Sequence, residues 1–163
     1  MFDFDVKVTV SPTLLDRFAK LPDKLQKKGA TAAARKAMNI VRNHARASAR
    51  GFDDRDSENA VWKNVVTQNS ARGGRRIGGV KMRVGVRGGA RYSKDIAAKA
   101  GNNPGGYTWY WRFLEFPYAD YSSPDPEWLT EALKNNVAAV ESTLGRELEA
   151  ELAKLLPNAA TNL

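Results

Sequence analysis

The chain has 163 residues, a net charge of +8 at pH 7 and no Cys. The length suits one ordinary domain with its own core, and the lack of Cys excludes disulfides, thiolate nucleophiles and thiolate zinc sites. No apolar run approaches the roughly 18–20 residues of a membrane span, and the first residues lack the basic and apolar regions of a secretory signal. We therefore expect a protein made in a cytosol, without membrane contact, that stays there or leaves inside an assembly.

Charge is distributed unevenly along the sequence. Residues 1–112 hold 23 Lys and Arg against 9 Asp and Glu, a net charge of +14, whereas residues 113–163 hold 3 against 9, a net charge of −6. Such asymmetry is typical of proteins that bind phosphate-rich partners, and of subunits whose basic and acidic faces meet head to tail. Composition alone does not choose between these two.

The first third of the chain predicts a strand followed by two helices. Apolar and polar residues alternate strictly over residues 2–10, and this period of two predicts a half-buried strand. Ser11 and Pro12 form a helix-start signal, so a short helix is predicted between them and Pro22. Residues 23–50 lack Pro and are rich in Ala, Lys and Arg, which predicts a long amphipathic helix. Its apolar side carries Ala33, Ala37, Ile40, Val41 and His44, and its opposite side carries a basic ridge of Lys24, Lys28, Arg35, Arg42 and Arg46.

The middle of the chain predicts strands separated by glycine-rich loops. Three strands are predicted, over residues 60–68, 80–87 and 107–116. Two loops lie between them, over residues 69–79 and 88–106. Ten of the 13 glycines fall in residues 73–106, so we expect these loops to be long and mobile.

The last part of the chain predicts a second long helix. Asp125 and Pro126 form its start signature, and Leu and Val recur at steps of three or four over about 126–156. Pro157 then ends the helix, and residues 158–163 form a short tail.

These elements predict a single α+β domain over residues 1–157. An antiparallel sheet of about four strands would carry the long helices, 23–50 and 126–156, packed on it.

Residues with catalytic or metal-binding chemistry are few. The single His, His44, lies on the apolar side of its predicted helix, which favours a structural role. One His and no Cys remove the common acid–base and nucleophile constellations. The acidic cluster Asp53, Asp54, Asp56 and Glu58 lacks the glycine and the spacing of a known calcium loop, which favours a solvated turn over a cation site. We therefore expect no enzyme activity, no cofactor and no metal.

Arginines gather in and beside the glycine-rich loops. Arginine side chains on a mobile backbone are suited to binding phosphates independently of the base sequence. Such binding depends on the charge and reach of the side chains more than on a fixed arrangement of them. A solvated basic loop that binds nothing is the alternative, and the sequence leaves both open. The candidates for contact with nucleic acid, or for lining a DNA channel, are Arg72, Arg75, Arg76, Arg83, Arg87 and Arg91.

The predicted strand over residues 107–116 is rich in aromatic residues, and both of its faces are apolar. This is unusual for a sheet that has one face exposed to solvent. Core packing accounts for one face, and we expect the other to meet a helix or a neighbouring subunit. A platform that stacks bases is disfavoured, because the usual flanking motif of RNA-binding sheets is missing. The candidate interface residues are Trp109, Trp111, Phe113, Glu115, Phe116 and Trp128.

One segment carries a resemblance to a phage family. With Tyr110-Trp111-Arg112-Phe113-Leu114-Glu115-Phe116 and the Ser123-Pro124-Asp125-Pro126 turn after it, the chain resembles the minor tail or tail-completion proteins of long-tailed phages, the protein-Z-like group. The order of a long Ala- and Arg-rich helix, basic strands, an aromatic Glu-Phe segment and a closing helix is similar too. The chain departs from the family at Pro117-Tyr118, where Gly-Thr is usual, and after Pro126.

The resemblance implies a virion component, at the tail or neck, that closes the tail and joins it to the head. It also implies a homohexameric ring around the DNA channel, with neck and tail-tube proteins as neighbours. Such a ring needs two different complementary faces on each subunit, which the basic and acidic parts of the chain could supply. The competing function is a free-standing RNA or single-stranded DNA binder that uses its Arg-Gly loops. A weaker alternative is a chaperone or adaptor used only during assembly.

Overall fold

The computed structural model describes residues 11–53, 59–88, 93–100, 102–116 and 126–160. The predicted strand over residues 2–10 lies outside these ranges, as does Arg91. The protein is α+β and mostly helical, with long helices near both ends and a two-stranded antiparallel sheet. In chain order the elements are α1 (Pro12–Ala19), α2 (Asp23–Phe52), α3 (Val61–Asn64), β1 (Val65–Asn69), α4 (Ala71–Arg76), β2 (Met82–Val86), α5 (Lys94–Ala100), α6 (Trp111–Glu115), α7 (Trp128–Lys134) and α8 (Val137–Ala160).

The sheet consists of β1 and β2 in the described residues, so the predicted count of about four strands is wrong for that part of the chain. Backbone bonds frame the pair: Ser70 N–H donates to Lys81 O at 2.8 Å beyond one end, and Arg87 N–H donates to Asn64 O at 3.0 Å beyond the other. The predicted strand over 60–68 is a strand only in its second half. Its first half is α3, and both glycine-rich loops contain a short helix, α4 and α5.

The predicted aromatic strand over 107–116 is wrong, because its second half is the helix α6. Phe116 N–H donates to Arg112 O at 2.9 Å, which is a helical bond four residues back. Trp109 and Phe113 meet edge to face at 5.8 Å between ring centroids, again four residues apart. Leu114 and Glu115 are both buried, although successive residues of a strand point to opposite faces. Large apolar residues are so frequent in this segment that its sequence fits both the period of a strand and that of a helix.

Helix α2 runs two residues past its predicted end and buries a row of small residues at four-residue steps. These are Gly29, Ala33, Ala37, Val41, Ala45 and Ala49. Side chains four apart share one helix face, and small ones allow neighbouring chain to approach closely. His44, predicted on the apolar side, is exposed.

The second predicted long helix is divided into α7 and α8 at Asn135 and Asn136. The side chain of Asn136 donates to Ala132 O at 2.8 Å, and that carbonyl would otherwise accept the Asn136 backbone N–H. The backbone N–H bonds Leu133 O instead. Asn competes for backbone groups in this way and so interrupts helices. Farther on, α8 continues through Pro157 to Ala160, past its predicted end.

The chain divides into two compact units. Unit 1 consists of the described parts of residues 1–40, 69–83 and 137–163, and unit 2 of those of residues 41–68 and 84–136. The expectation of one domain over residues 1–157 stays a prediction. In unit 1, α1, the start of α2 and α8 bury an apolar cluster. It contains Leu14, Phe18, Leu21, Ala33, Leu148, Leu152 and Leu155.

Across the described residues, no helix combines the length and the apolar character needed to cross a membrane.

Candidate nucleic-acid and subunit surfaces

The connection from β1 to β2 is closely packed around glycine. Gly79 N–H donates to Gly74 O at 3.0 Å, and Gly74 N–H donates to Ser70 O at 2.7 Å. A Cβ at the buried Gly74 would collide with the carbonyl oxygen of Gly79. Glycine at position 74 therefore allows two backbone segments to approach closely. The sequence analysis predicted only a mobile loop here and did not consider this role.

This connection brings three of the predicted arginines together on α4. Arg72, Arg75 and Arg76 are all exposed, and in the described part of the chain none of them forms an ion pair. Arg83 on β2 and Arg87 after β2 are exposed as well. Ile77 follows α4 with 65% of its surface exposed. The connection at the tip of this β1–β2 hairpin thus carries exposed positive charge and one exposed apolar residue.

A second basic group lies in unit 2, on the later part of α2. Arg42, Arg46 and Arg50 follow at four-residue steps, and Arg46 Nε donates to Val65 O at 3.0 Å. Burial lowers the pKa of Arg46, and the charges of Arg42, Arg50 and Arg87 lower it further. We call Arg42, Arg46, Arg50 and Arg87 the α2 arginine cluster.

Trp62 lies beside this cluster. The guanidinium of Arg50 is 4.0 Å from the centroid of the Trp62 ring, and Lys63 Nζ is 5.5 Å from it. Cations are attracted to the ring face, so the half-buried indole helps to hold Arg50 in place. The predicted basic ridge included Arg42 and Arg46, and Arg50 continues their four-residue step on α2. Only the fold brings Trp62 to Arg50 and Arg87 near Arg46.

The candidate interface residues are divided between surface and interior. Trp109, Trp111 and Phe113 are half-buried around α6, and Phe116 is 38% exposed. Arg112 lies 5.2 Å from the Phe113 centroid. This part of the predicted interface stays a prediction.

Glu115 and Trp128 do not lie on the surface. Glu115 is 2% exposed, and its carboxylate accepts bonds from Leu129 N–H at 2.7 Å, Thr130 N–H at 3.0 Å and Thr130 Oγ1 at 2.6 Å. Trp128 is 1% exposed and packs against Phe52, with ring centroids 5.6 Å apart. In the isolated chain both residues stabilise the interior of unit 2.

A buried polar network around Asn64 was missed by the sequence interpretation. Asn64 Nδ2 donates to Gly106 O at 2.8 Å and to Thr108 Oγ1 at 2.9 Å, while its Oδ1 accepts from Gly105 N–H at 3.0 Å. A Cβ at Gly105 would collide with the carbonyl of Ala60. Nothing in the local sequence distinguishes this Asn from one in a turn.

His44 and Asp53, which the sequence analysis considered for catalysis and for cation binding, form contacts within the chain. His44 Nδ1 lies 2.7 Å from Asn136 Nδ2, and Asp53 Oδ2 accepts Trp62 N–H at 3.1 Å. Asp54, Asp56 and Glu58 lie outside the described residues. Among the residues that are described, no three His, Cys, Asp or Glu side chains gather as they would around a metal.

The start of α2 presents a shallow basic groove in unit 1. It is lined by Lys24, Leu25, Lys27, Lys28, Thr31, Ala32, Arg35 and Lys36. At its end Lys36 Nζ pairs with Glu147 at 2.7 Å and with Glu151 at 3.4 Å. The hydrogen bond to Glu147 raises the pKa of Lys36, and the same bond lowers the pKa of Glu147.

Comparison with known proteins gives one family. Residues 13–116 match the sequence model of the HK97-gp10-like family, described as "Bacteriophage HK97-gp10, putative tail-component". No curated protein and no solved structure matches the chain. The matched segment runs from α1 to the end of α6 and includes both basic groups, and it covers more than half of the chain. The chain therefore belongs to the HK97-gp10-like family of bacteriophage tail components.

Proposed function

We propose that this tail component is a non-enzymatic structural subunit of the head–tail junction, of the tail-completion kind, and that its copies form a ring around the DNA channel. The family match carries the proposal, because it makes the chain a virion part of the phage tail. A part at the junction must tolerate any DNA sequence that passes through it.

The exposed arginines of α4 support the channel position. Three guanidinium groups on one short helix supply charge that phosphates attract irrespective of base sequence. The helix lies at the tip of the β1–β2 hairpin, so a ring of subunits could direct it inward. Neighbours in the neck and tail tube would then contact other surfaces of the subunit.

The contacts of Glu115 support a role without catalysis. This buried carboxylate accepts three bonds from α7. A general acid or base must be able to reach a substrate, and this arrangement does not favour that.

The test is charge reversal on the hairpin. We expect Arg75→Glu with Arg76→Glu to lower DNA delivery by assembled particles, because two positive charges that face DNA become repulsive. A matched control reverses Arg17 and Lys20, two exposed cations at the end of α1. Particle assembly is followed by electron microscopy and delivery by infectivity. Equal infectivity of the two variants would remove the channel assignment.

The competing function is a free-standing nucleic-acid binder, which the same exposed arginines favour. Its signature would be tight binding of single-stranded nucleic acid by the isolated monomer, falling steeply with salt. Incorporation of the protein into finished particles separates the two functions, because a free-standing binder or an assembly chaperone would be missing from them.

A further inference from the structure

The α2 arginine cluster concentrates positive charge in a small area of unit 2. Arg42, Arg46 and Arg50 occupy one face of α2, with successive positions about 6 Å apart along the helix. The charge of Arg87 reaches Arg46 from the end of β2. Within the ranges that the structure describes, no carboxylate forms an ion pair with any of the four. The charge is therefore not neutralised by the described part of the chain.

The arginines are held by contacts that leave part of each guanidinium available. Arg46 uses Nε for Val65 O, and Arg42 uses Nε and Nη2 for Asn43 Oδ1 at 3.1 and 2.9 Å. Arg50 is held against the Trp62 ring. A guanidinium carries five N–H donors, so further donors remain on each of them. Anchored arginines lose less conformational entropy when they bind a ligand.

We propose that the α2 arginine cluster binds the phosphates of double-stranded DNA, as a second DNA contact beside the hairpin arginines. The guanidinium fork matches phosphate oxygens, and a row of arginines along a helix matches a row of phosphates along one strand. This inference rests on the proposed position at the DNA channel and adds the surface that contacts the duplex there.

The surroundings of Trp62 decide between duplex and single-stranded DNA. Binding of single strands relies on bases that stack on aromatic rings. Here Arg50 already occupies a face of the Trp62 ring, and Lys63 is also within cation–π distance. The indole therefore positions cations and offers poor stacking. Contact with the sugar–phosphate backbone of a duplex needs no free ring.

The experiment measures binding of the full chain to a short mixed-sequence duplex by fluorescence anisotropy over a range of salt. Arg42→Gln with Arg87→Gln should reduce the slope of log affinity against log salt by about 2, since each lost phosphate contact removes about 0.9. Arg46 is kept because its bond to Val65 O supports the fold. Arg17→Gln with Lys20→Gln should leave the slope unchanged, and circular dichroism checks that all variants fold.

Three outcomes would overturn the inference. They are an unchanged slope in the Arg42 and Arg87 variant, equal or tighter binding of single-stranded DNA, and binding of polyglutamate in preference to DNA. The last would make the cluster a protein-docking surface. Loss of slope only in an Arg75→Gln, Arg76→Gln variant would refute this site and leave the proposed function intact. Absence of the protein from virions would refute the function itself.

Discussion

At the scale of single residues, Glu115 explains how α7 begins. A helix start leaves its first backbone N–H groups without partners in the helix. Glu127, just before α7, has a φ of 61° and provides no side-chain cap. Glu115 caps the helix from a distance instead, because its carboxylate accepts the N–H groups of Leu129 and Thr130. Its backbone oxygen also accepts Glu127 N–H at 2.7 Å.

Replacement of Glu115 by Gln should destabilise the protein by about 1–3 kcal/mol. The amide keeps the shape but loses the negative charge and one acceptor, which leaves a buried donor of α7 without its partner. Urea unfolding followed by circular dichroism measures the change. Asp16→Asn, the same substitution type at an exposed site of α1, should stay within about 0.5 kcal/mol of wild type. A Glu115→Gln variant as stable as wild type would mean that the carboxylate does not cap α7.

The sequence analysis singled out Glu115 as a candidate subunit-interface residue and did not predict that it caps α7. Its three donors lie 14 and 15 residues farther along the chain, so no local pattern indicated them. Asn64 is a similar case, since its partners lie more than 40 residues away. The exposure of Arg72, Arg75 and Arg76 follows from their charge, but their place on the helix α4 was not predicted, because the sequence indicated a mobile loop there.

At the scale of elements, periodicity predicted the elements whose pattern is regular and failed where the pattern is ambiguous. Helix α2 follows from a pattern over many residues, and the five-residue strand β2 from strict alternation of apolar and other residues over 80–87. Helices α3, α4 and α6 are four to six residues long, so a single turn had to be distinguished from extended chain in a run of glycine or aromatic residues. Two residues of these helices, Asn64 and Glu115, form hydrogen bonds with residues distant in the sequence, which no local pattern can indicate.

Two glycines within helices should respond oppositely to replacement by Ala. A Cβ at Gly145 in α8 meets nothing within 4 Å, so Gly145→Ala should stabilise the protein by about 0.4–1 kcal/mol through the entropy of the unfolded chain. Gly74→Ala in α4 should destabilise it, because the new Cβ collides with the Gly79 carbonyl. Thermal unfolding of the two variants measures both effects. Shifts of the same sign would contradict the packing described for one of these helices.

The ion pair between α2 and α8 should make stability depend on pH at both extremes. The raised pKa of Lys36 means that its contribution is full below the ordinary value of 10.5 and is lost as the pH rises above it. The lowered pKa of Glu147 means that its contribution is present above 4.5 and is lost as the pH falls through the lower folded value.

Lys36→Met removes the pair and keeps most of the apolar stem. The difference in unfolding free energy between wild type and this variant should be largest between about pH 4.5 and 10.5, and should shrink outside that window and at high salt. Lys20→Met, the same substitution at an exposed lysine outside the pair, is the matched control. A pH-independent difference for Lys36→Met would show that the pair contributes nothing.

At the scale of the whole molecule, charge is separated along the sequence and on the elements. The groove along α2 is basic, and residues 113–163 carry a net charge of −6. A cyclic ring requires a heterologous contact, in which one face of a subunit meets a different face of the next. We expect the α2 groove of one copy to meet the acidic α8 of its neighbour, with aromatic residues of α6 adding apolar surface where they remain exposed.

Charge exchange tests this contact and the ring size together. Lys27→Glu with Lys28→Glu should weaken assembly, and so should Glu141→Lys with Glu149→Lys, since each variant places like charges at every contact. Mixed together, the two should assemble again, because their altered faces are complementary and their unaltered faces still match. Such a ring must alternate the two variants, so it closes only with an even number of subunits, as a hexamer would. Native mass spectrometry, with and without tail-tube protein, gives the masses. Arg17→Glu with Lys20→Glu is the control that should leave assembly unchanged. If both single variants assemble like wild type, the charged faces do not form the contact.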